Sequence, residues 1–302
     1  MKKLFGVNVP VVTPLTKDQK IDHASLEKLC VYLIEKGING IYPCGTTGEM
    51  AFLSIDERKE VLETVIKAVN GKTNVFSMAG TNNFNDTVEL IRYAEKAGAD
   101  GAGIVTPYFF KLDETELVNY FVQIAASVSR DFPIYLYAIP QFAVNDITPS
   151  IAEKIIRQSP NIIGIKYSFP NMIRMIDFLN VNNGNFSVIT GPEELFLSNI
   201  SSGGDGVISG SANVIPEHFI SIRDAFNKKD YSRAQKLQLK TNKLLSVLCA
   251  SNTIAHYKAG LVHRGIIESD TMRLPFRSLS EDERASFYKT MEDMNYKVPN
   301  IT

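Results

Sequence analysis

The sequence IIGIK, at Ile162 to Lys166, decides the fold prediction because it is typical of a buried strand that ends in a lysine. In a parallel barrel or sheet, ligands bind at the carboxyl ends of the strands, so we expect Lys166 to point into a site. Poor solvation there disfavours the charged ammonium and frees a neutral amine to attack a carbonyl carbon. Lys166 is therefore a candidate Schiff-base nucleophile. On this stretch alone, a lysine that reaches out into solvent is the commoner arrangement.

Short apolar runs alternate with amphipathic stretches of helical period on both sides of IIGIK. Eight strands paired with eight helices predict an α/β fold of the (β/α)8 TIM-barrel class. An open doubly wound sheet is the alternative, but no GxGxxG follows the first strand. The predicted strands are Leu4 to Thr13, Asn39 to Pro43, Asn74 to Ala79, Gly101 to Thr106, Pro133 to Tyr137, Ile162 to Lys166, Phe186 to Thr190 and Gly206 to Ser209.

Capping signals mark several of the predicted helices. One helix runs from about Ala24 to Lys36, and Ser54 begins another as a capping box with Glu57. A third starts at Asp86, and the helix after strand four reaches about Ser129; prolines open two more, at Pro149 and Pro216. We expect residues 1–227 to form the barrel and residues 228–302 a helical extension, with breaks near Ser251 and around Pro275.

The composition excludes several classes of partner. The 302 residues include 32 basic and 33 acidic side chains, without a basic stripe that would indicate nucleic acid binding. No uninterrupted apolar run approaches the ~18 residues that span a bilayer, and the apolar amino end is broken by glycine and prolines, so we expect a soluble protein without a signal peptide. The three cysteines lack metal-binding spacing and predict reduced thiols in the cytoplasm: Cys30, Cys44 and Cys249.

The turn after the second strand offers a site for a small carboxylate. It reads GTTGE, with Gly45, Thr46 and Thr47 followed by Gly48 and Glu49. Two hydroxyls and several backbone amides there can satisfy the oxygens of an anion. A plain connection between strand and helix remains an equal alternative.

Three further strand ends carry polar groups. Tyr137 ends strand five and offers either a hydroxyl that passes a proton or a ring that packs in a barrel layer. Ser168 lies two residues beyond Lys166 and is expected to face the same cavity. Glu193 and Glu194 follow strand seven, where they bind ligand hydroxyls or, as composition alone favours, complement a helix dipole.

The sequence also bears on two other kinds of site, one for a metal and one for a phosphate. The four histidines show no HxH or HExxH spacing and lie on or beside predicted helices, so no catalytic metal is predicted. A phosphate site before strand eight is an alternative suggested by Gly203, Gly204 and Gly206.

The ordered motifs VTPL, GTTGE, TPY, YAIP, GIK, GDGVISGSAN and RLP resemble a family of pyruvate-dependent class I aldolases and lyases. This family includes dihydrodipicolinate synthase, N-acetylneuraminate lyase and 2-keto-3-deoxygluconate aldolase, and the resemblance extends from about Gly6 to Pro275. It implies a (β/α)8 barrel with carboxyl-terminal helices, a homotetramer built as a dimer of dimers, and no metal or organic cofactor.

The resemblance also implies a role for each site residue. Lys166 forms an imine with pyruvate or a pyruvoyl substrate, and Tyr137 moves the proton while Thr46 orients its hydroxyl. The turn at Gly45, with Thr46 and Thr47, holds the carboxylate of the keto acid. Gly191 and Ile208 line the pocket.

Two departures from the family pattern bear on the substrate. Phe142 stands where dihydrodipicolinate synthases place the arginine that binds the second substrate's carboxylate. Phe109 stands where they place a tyrosine lent to the neighbouring subunit, and Tyr108 comes one position early as a possible interface relay. Phenyl rings neither pair with a carboxylate nor relay a proton.

The acidic pair favours a hydroxylated substrate, since sialate lyases carry such a pair where Glu193 and Glu194 stand. The sequence therefore predicts reversible cleavage of a 2-keto-3-deoxy sugar acid, of the N-acetylneuraminate or 2-keto-3-deoxygluconate type, to pyruvate and an aldehyde. The enzymatic alternative is 4-hydroxy-tetrahydrodipicolinate synthesis from pyruvate and aspartate semialdehyde. An alternative of another class is a keto-acid-binding regulator without catalysis.

Overall fold

Eight parallel strands close into a barrel in sequence order, because β1 pairs with β2 on one side and with β8 on the other. The protein is described here by a computed structural model, which covers residues 1–248 and 253–294. The (β/α)8 prediction is confirmed, and closure between β1 and β8 rules out the open sheet. The strands are β1 Gly6–Val9, β2 Gly40–Ile41, β3 Asn74–Met78, β4 Gly101–Val105, β5 Ile134–Ala138, β6 Ile162–Tyr167, β7 Ser187–Thr190 and β8 Gly206–Ile208.

Helices follow the strands and form the outer layer. In chain order they are α1 His23–Lys36, α2 Ile55–Val69, α3 Phe84–Ala97, α4 Glu114–Ala125, α5 Pro140–Ala143, α6 Pro149–Ile156, α7 Met172–Phe178, α8 Phe196–Ser201, α9 Pro216–Asn227, α10 Tyr231–Leu248, α11 Thr253–His263 and α12 Glu281–Asp293. None of these described helices is both long enough and apolar enough to cross a membrane.

Capping chemistry explains where the predicted helix starts agree and where they differ. Ser54 and Glu57 form the predicted capping box at the start of α2. The predicted start at Asp86 is wrong by two residues, since the side chain of Asn83 caps the amides of Asn85 and Asp86. The helix predicted to reach Ser129 ends earlier, at Ala125.

The first strand is shorter than predicted. It ends at Val9 rather than Thr13, immediately before Pro10, which has no amide hydrogen to give to a ladder. The helix after strand seven is also broken, into a 3₁₀ turn at Glu193–Leu195 and then α8. The short helix α5 was not predicted.

The carboxyl-terminal helices continue the helical layer beyond α9. α10 packs along α9, and α11 packs against the 3₁₀ turn Ser211–Asn213 that follows β8. The predicted boundary at residue 227 coincides with the end of α9, while the division into two domains stays a prediction. A break around Pro275 is present between α11 and α12. The break predicted near Ser251 lies outside the described residues.

Candidate active site

Lys166 and Tyr137 lie side by side at the carboxyl ends of two neighbouring strands. They are register partners in the pairing of β5 with β6, so their side chains leave the barrel wall on the same face. Tyr167, the next residue, points the opposite way and packs on Phe178 of α7. Alternation along β6 therefore turns Lys166 into the barrel.

The amine of Lys166 is buried between aromatic rings. Its Nζ lies 4.1 Å from the ring centroid of Tyr137 and 5.7 Å from that of Tyr42. The side chain is only 6% exposed, and within the described part of the chain its amine makes no hydrogen bond and no ion pair. Ring faces attract a cation but accept no proton. An amine held this way is accessible to a carbonyl carbon that enters the barrel mouth.

The hydroxyl of Tyr137 connects this amine to the GTTGE turn. Tyr137 Oη and Thr46 Oγ1 lie 3.2 Å apart, within hydrogen-bond distance. Thr46 therefore fixes the direction of a hydroxyl whose ring already contacts Lys166. The arrangement is that of an oriented proton-transfer group beside a nucleophile.

The turn presents hydrogen-bond donors that the protein does not use. The amides of Gly48 and Glu49 bond back to the carbonyls of Gly45 and Thr46, which shapes the turn. In contrast, the backbone amides of Thr46 and Thr47 and the hydroxyl of Thr47 have no acceptor among the described residues. Clustered donors of this kind at the end of a strand are able to bind a carboxylate.

A cavity of about 1050 Å³ joins these groups at the carboxyl ends of the strands. Every residue that the sequence singled out as a site residue lines it except Gly45, which is buried and where an added Cβ would lie 3.4 Å from Tyr42 Cδ1. The lining residues from the prediction are Thr46, Thr47, Tyr108, Tyr137, Lys166, Ser168, Gly191, Glu193, Glu194 and Ile208.

Gly191 is required by its contact with Ser168. A Cβ at Gly191 would stand 1.9 Å from Ser168 Oγ, which no side chain tolerates. The backbone carbonyl of Ser168 accepts a hydrogen bond from Gln141 Nε2 at 2.7 Å.

Gln141 also lines the cavity, and sequence reasoning missed it because nothing near YAIP identifies a glutamine as a pocket residue.

The two glutamates after β7 differ in their surroundings. Glu193 is buried, and its carboxylate accepts hydrogen bonds from Ser209 Oγ and from both the amide and the hydroxyl of Ser211, at 2.5 to 2.8 Å. Burial raises the pKa of Glu193, and these hydrogen bonds act against the rise. Glu194 is exposed at the cavity wall. The carboxylate of Glu193 therefore already accepts hydrogen bonds from the protein, whereas that of Glu194 is solvated and available to a ligand.

Tyr108 and Phe109 point in opposite directions. Tyr108 is half-buried and lines the cavity, whereas Phe109 is 76% exposed and contacts Phe110 edge to face at 5.0 Å. Phe109 has a φ of 81°, a left-handed conformation that costs a non-glycine residue about 1–3 kcal/mol. Phe109 does not line the cavity of its own chain.

The outer wall of the cavity is largely aromatic and aliphatic. Phe142 lines it, as do Phe52 and Phe276, whose rings meet edge to face at 4.9 Å. Among the described lining residues there is no arginine. Ile254, Tyr257 and Phe276 bring the carboxyl-terminal extension into the site, a contribution that the local sequence pattern did not reveal.

None of the four histidines, which all lie in described helices, lines this cavity. His23 lies in α1, His218 in α9, and His256 and His263 in α11. Over residues 1–248 and 253–294, no group of three or more His, Cys, Asp or Glu side chains has the arrangement of a metal site. The predicted absence of a metal stays a prediction.

Comparison with known proteins agrees with this geometry. The 4-hydroxy-tetrahydrodipicolinate synthase of Nitratidesulfovibrio vulgaris is 33% identical over 276 residues, 91% of this chain and 93% of the relative. The dihydrodipicolinate synthase of Aquifex aeolicus superposes with a TM-score of 0.91 at 30% identity, covering 98% and 100% of the two chains. The E. coli K12 protein YagE, solved in complex with pyruvate, gives a TM-score of 0.92 at 27% identity over 97% and 99%.

Residues 3–294 match the dihydrodipicolinate synthetase family. The proteins of this family are enzymes of the class I aldolase and lyase type that act on pyruvate. The chain belongs to the dihydrodipicolinate synthetase family.

Proposed function

We propose that Lys166 forms an imine with the keto carbon of a pyruvoyl substrate and that the enzyme reversibly cleaves a 2-keto-3-deoxy sugar acid to pyruvate and an aldehyde. One observation carries the proposal. The amine of Lys166, which has no partner among the described residues, contacts the ring of Tyr137, whose hydroxyl lies 3.2 Å from Thr46 Oγ1. A nucleophile and an oriented proton carrier therefore meet in one cavity.

The reaction proceeds through covalent catalysis. The amine of Lys166 adds to the keto carbon, and Tyr137 Oη gives its proton to the hydroxyl of this adduct, which leaves as water and gives a protonated imine that accepts electrons. The bond between the third and fourth carbons then breaks as the Tyr137 oxygen, now without its proton, takes the proton of the fourth-carbon hydroxyl, and the aldehyde departs. Tyr137 passes this proton to the third carbon of the remaining enamine, and hydrolysis then releases pyruvate and restores Lys166 and the Tyr137 hydroxyl.

The carboxylate of the keto acid binds at the GTTGE turn. The amides of Thr46 and Thr47 and the hydroxyl of Thr47, which have no acceptor among the described residues, supply donors for its two oxygens. Gly45 shapes the turn, since its carbonyl accepts hydrogen bonds from the amides of Gly48 and Met50. This end of the pocket therefore selects the pyruvoyl group shared by all candidate substrates.

The aldehyde end favours a substrate without a second carboxylate. Phe142 lines the cavity and no arginine does among the described residues, so an anionic aldehyde finds no arginine counter-charge there. Glu194 offers a solvated carboxylate for sugar hydroxyls, whereas Glu193 must share its oxygens with Ser209 and Ser211. N-acetylneuraminate and 2-keto-3-deoxygluconate are the named candidates.

A substrate panel scored by pyruvate release tests this proposal. We expect release from 2-keto-3-deoxygluconate or N-acetylneuraminate and little condensation of pyruvate with aspartate semialdehyde. The names of the relatives support the competing synthase activity, and efficient turnover with the semialdehyde alone would establish it. Phe142→Arg provides the matched variant, which should gain semialdehyde turnover if this position selects the aldehyde.

The non-catalytic alternative predicts a different pattern. A keto-acid regulator would trap pyruvate on Lys166 under borohydride without releasing product from any substrate in the panel. Membership of an enzyme family argues against it.

We further propose a homotetramer, a dimer of dimers. Phe109 and Phe110 form an exposed apolar patch next to the cavity, and such patches indicate protein contacts. Phe109→Glu should shift the mass measured by analytical ultracentrifugation toward smaller species. Phe5→Glu, at an exposed phenylalanine before β1, is the control that should leave the mass unchanged.

A cytoplasmic location is proposed from the thiols. Cys30 and Cys44 are buried and free, and burial raises the pKa of the Cys44 thiol to about 11 and that of Cys30 to about 12. Protected, unpaired thiols are typical of a reducing compartment. Cys249 lies outside the described residues.

A further inference from the structure

A second buried lysine lies behind the carboxylate-binding turn. Lys258, in α11, places its Nζ 2.5 Å from Glu49 Oε1, and both side chains are 0% exposed. Lys258 Nζ also donates to the carbonyl of Thr271 at 2.8 Å. The proposed chemistry at Lys166 uses neither member of this pair. Burying two charges away from solvent carries a desolvation cost, so the pair is expected to have a specific role.

Glu49 is the last residue of the GTTGE turn and lies at the cavity wall. Its amide donates to the carbonyl of Thr46, so the position of Glu49 is coupled to a residue that contacts Tyr137. Glu49 also has a φ of 62°, a left-handed conformation in which a glutamate is held only by its surroundings. Its side chain pairs with the carboxyl-terminal extension.

The extension holds Glu49 at more than one point. The amide of Arg273 donates to Glu49 Oε2 at 2.7 Å, and the guanidinium of Arg273 pairs with Glu57 of α2 at 2.5 Å. Farther out, Phe276 packs on Phe52. The segment that follows α11 therefore contacts the turn at Glu49 and the start of α2 at Glu57.

We propose that Lys258 is a positioning residue, which holds the GTTGE turn through Glu49 so that the amides of Thr46 and Thr47 face the keto acid's carboxylate. This inference rests on the proposed imine chemistry at Lys166. It assigns the carboxyl-terminal extension a role in pyruvate recognition. Misplacement of a binding group by about 1 Å costs up to about 10²-fold in rate.

A purely structural role for the pair predicts a different result. A second ion pair, Arg264 with Glu217 at 2.7 Å, also joins the end of α11 to the barrel layer, since Arg264 directly follows α11 and Glu217 lies in α9. Arg264 is buried, but neither residue of that pair lines the cavity. Arg264→Met is therefore the matched control, since it loosens the same helix away from the turn.

The experiment measures borohydride trapping of pyruvate on the full chain by intact-protein mass, as a function of pyruvate concentration. Wild type, Lys258→Met, Glu49→Gln, the double variant and Arg264→Met are compared, with folding checked by circular dichroism. We expect the half-saturating pyruvate concentration to rise about tenfold or more in Lys258→Met, within the range of one misplaced binding group. It should stay within about twofold in Arg264→Met.

The double variant keeps the test decisive if Lys258→Met does not fold, because it removes the buried carboxylate together with the buried ammonium. Normal half-saturation in every folded variant of this pair would overturn the positioning role. An equal rise in Arg264→Met would do the same. Wild-type protein that traps no pyruvate would instead refute the proposed function, so the two failures are distinguishable.

Discussion

Among the described residues the protein buries two lysines near the same turn, and they have opposite surroundings. Lys258 is ion-paired with Glu49 and hydrogen-bonded to Thr271, and it is fully enclosed. Lys166, 6% exposed, has the rings of Tyr137 and Tyr42 as neighbours and no partner for its amine among the described residues. A buried ammonium is stable only with partners. The paired lysine is therefore suited to hold structure, and the unpaired one to react.

Replacement of Lys166 should give the largest effect. Lys166→Arg keeps a positive charge but removes the amine that forms the imine, so we expect pyruvate release to fall at least about 10⁴-fold, as when a nucleophile is lost. Borohydride with pyruvate should add no mass to this variant, whereas Lys258→Met should still add one pyruvoyl group at high pyruvate. An adduct on Lys166→Arg would show that another amine reacts and would contradict the assignment of the reactive role to Lys166.

The hydroxyl of Tyr137 comes next. Tyr137→Phe keeps the ring beside Lys166 but removes the proton carrier, so we expect turnover to fall about 10²–10⁴-fold. Measured by steady-state kinetics, the fall should appear in kcat while trapped adduct still forms at saturating pyruvate. Tyr135→Phe is the control, since Tyr135 bonds to Leu4 and Ser187 on the amino side of the barrel. Equal losses in the two variants would contradict a proton role specific to Tyr137.

The two lysines should have opposite effects on the free energy of unfolding when each is replaced. Lys258→Met leaves Glu49 buried without its cation, which should lower the free energy of unfolding by about 3–5 kcal/mol, with most of it restored by adding Glu49→Gln. Lys166→Met removes a buried amine that has no partner among the described residues and should raise stability by about 1 kcal/mol. Urea unfolding measures both. Similar losses in the two variants would show that their surroundings do not differ in energy.

The position of Lys166 was predictable from sequence, whereas the pair of Lys258 with Glu49 was not. A lysine at the end of IIGIK alone more commonly reaches into solvent, but the ordered motifs around it and the alternation of faces along a strand favoured the barrel mouth. Lys258 sits in an ordinary helical stretch, and its partner Glu49 belongs to a turn far along the chain. Only the closed fold brings these two residues together, so the local sequence pattern around either one does not predict the pair.

The barrel itself was predicted well, and its errors have local causes. Strand and helix order follows from hydrophobic period, but β1 stops early at Pro10 and α3 starts early at the cap Asn83. The acidic pair after β7 was located correctly, but the difference in burial between Glu193 and Glu194 depends on serines from beyond β8. The SGS within GDGVISGSAN was the one available signal for that contact.

The smallest expected effect extends the comparison from lysines to glutamates. Glu49 faces an ammonium, but the Glu193 carboxylate accepts hydrogen bonds from the neutral groups of Ser209 and Ser211, and burial raises its pKa above 4.5. The folded state then holds this proton more tightly than the unfolded state, so the stabilisation from this group is fully present below pH 4.5. That stabilisation is lost as the pH rises through the raised pKa of the folded state. A tenfold tighter hold on the proton corresponds to about 1.4 kcal/mol.

Glu193→Gln removes this titration, because the amide stays neutral in both states. Measured by urea unfolding from about pH 4 to pH 8, the wild type should lose stability relative to Glu193→Gln as the pH rises, until the carboxylate is fully ionised. Glu194→Gln, at the exposed neighbour, should follow the wild-type pH profile. Parallel profiles for wild type and Glu193→Gln would mean that the serine hydrogen bonds fully offset burial, and a neutral cage would then stabilise a carboxylate as well as Lys258 does.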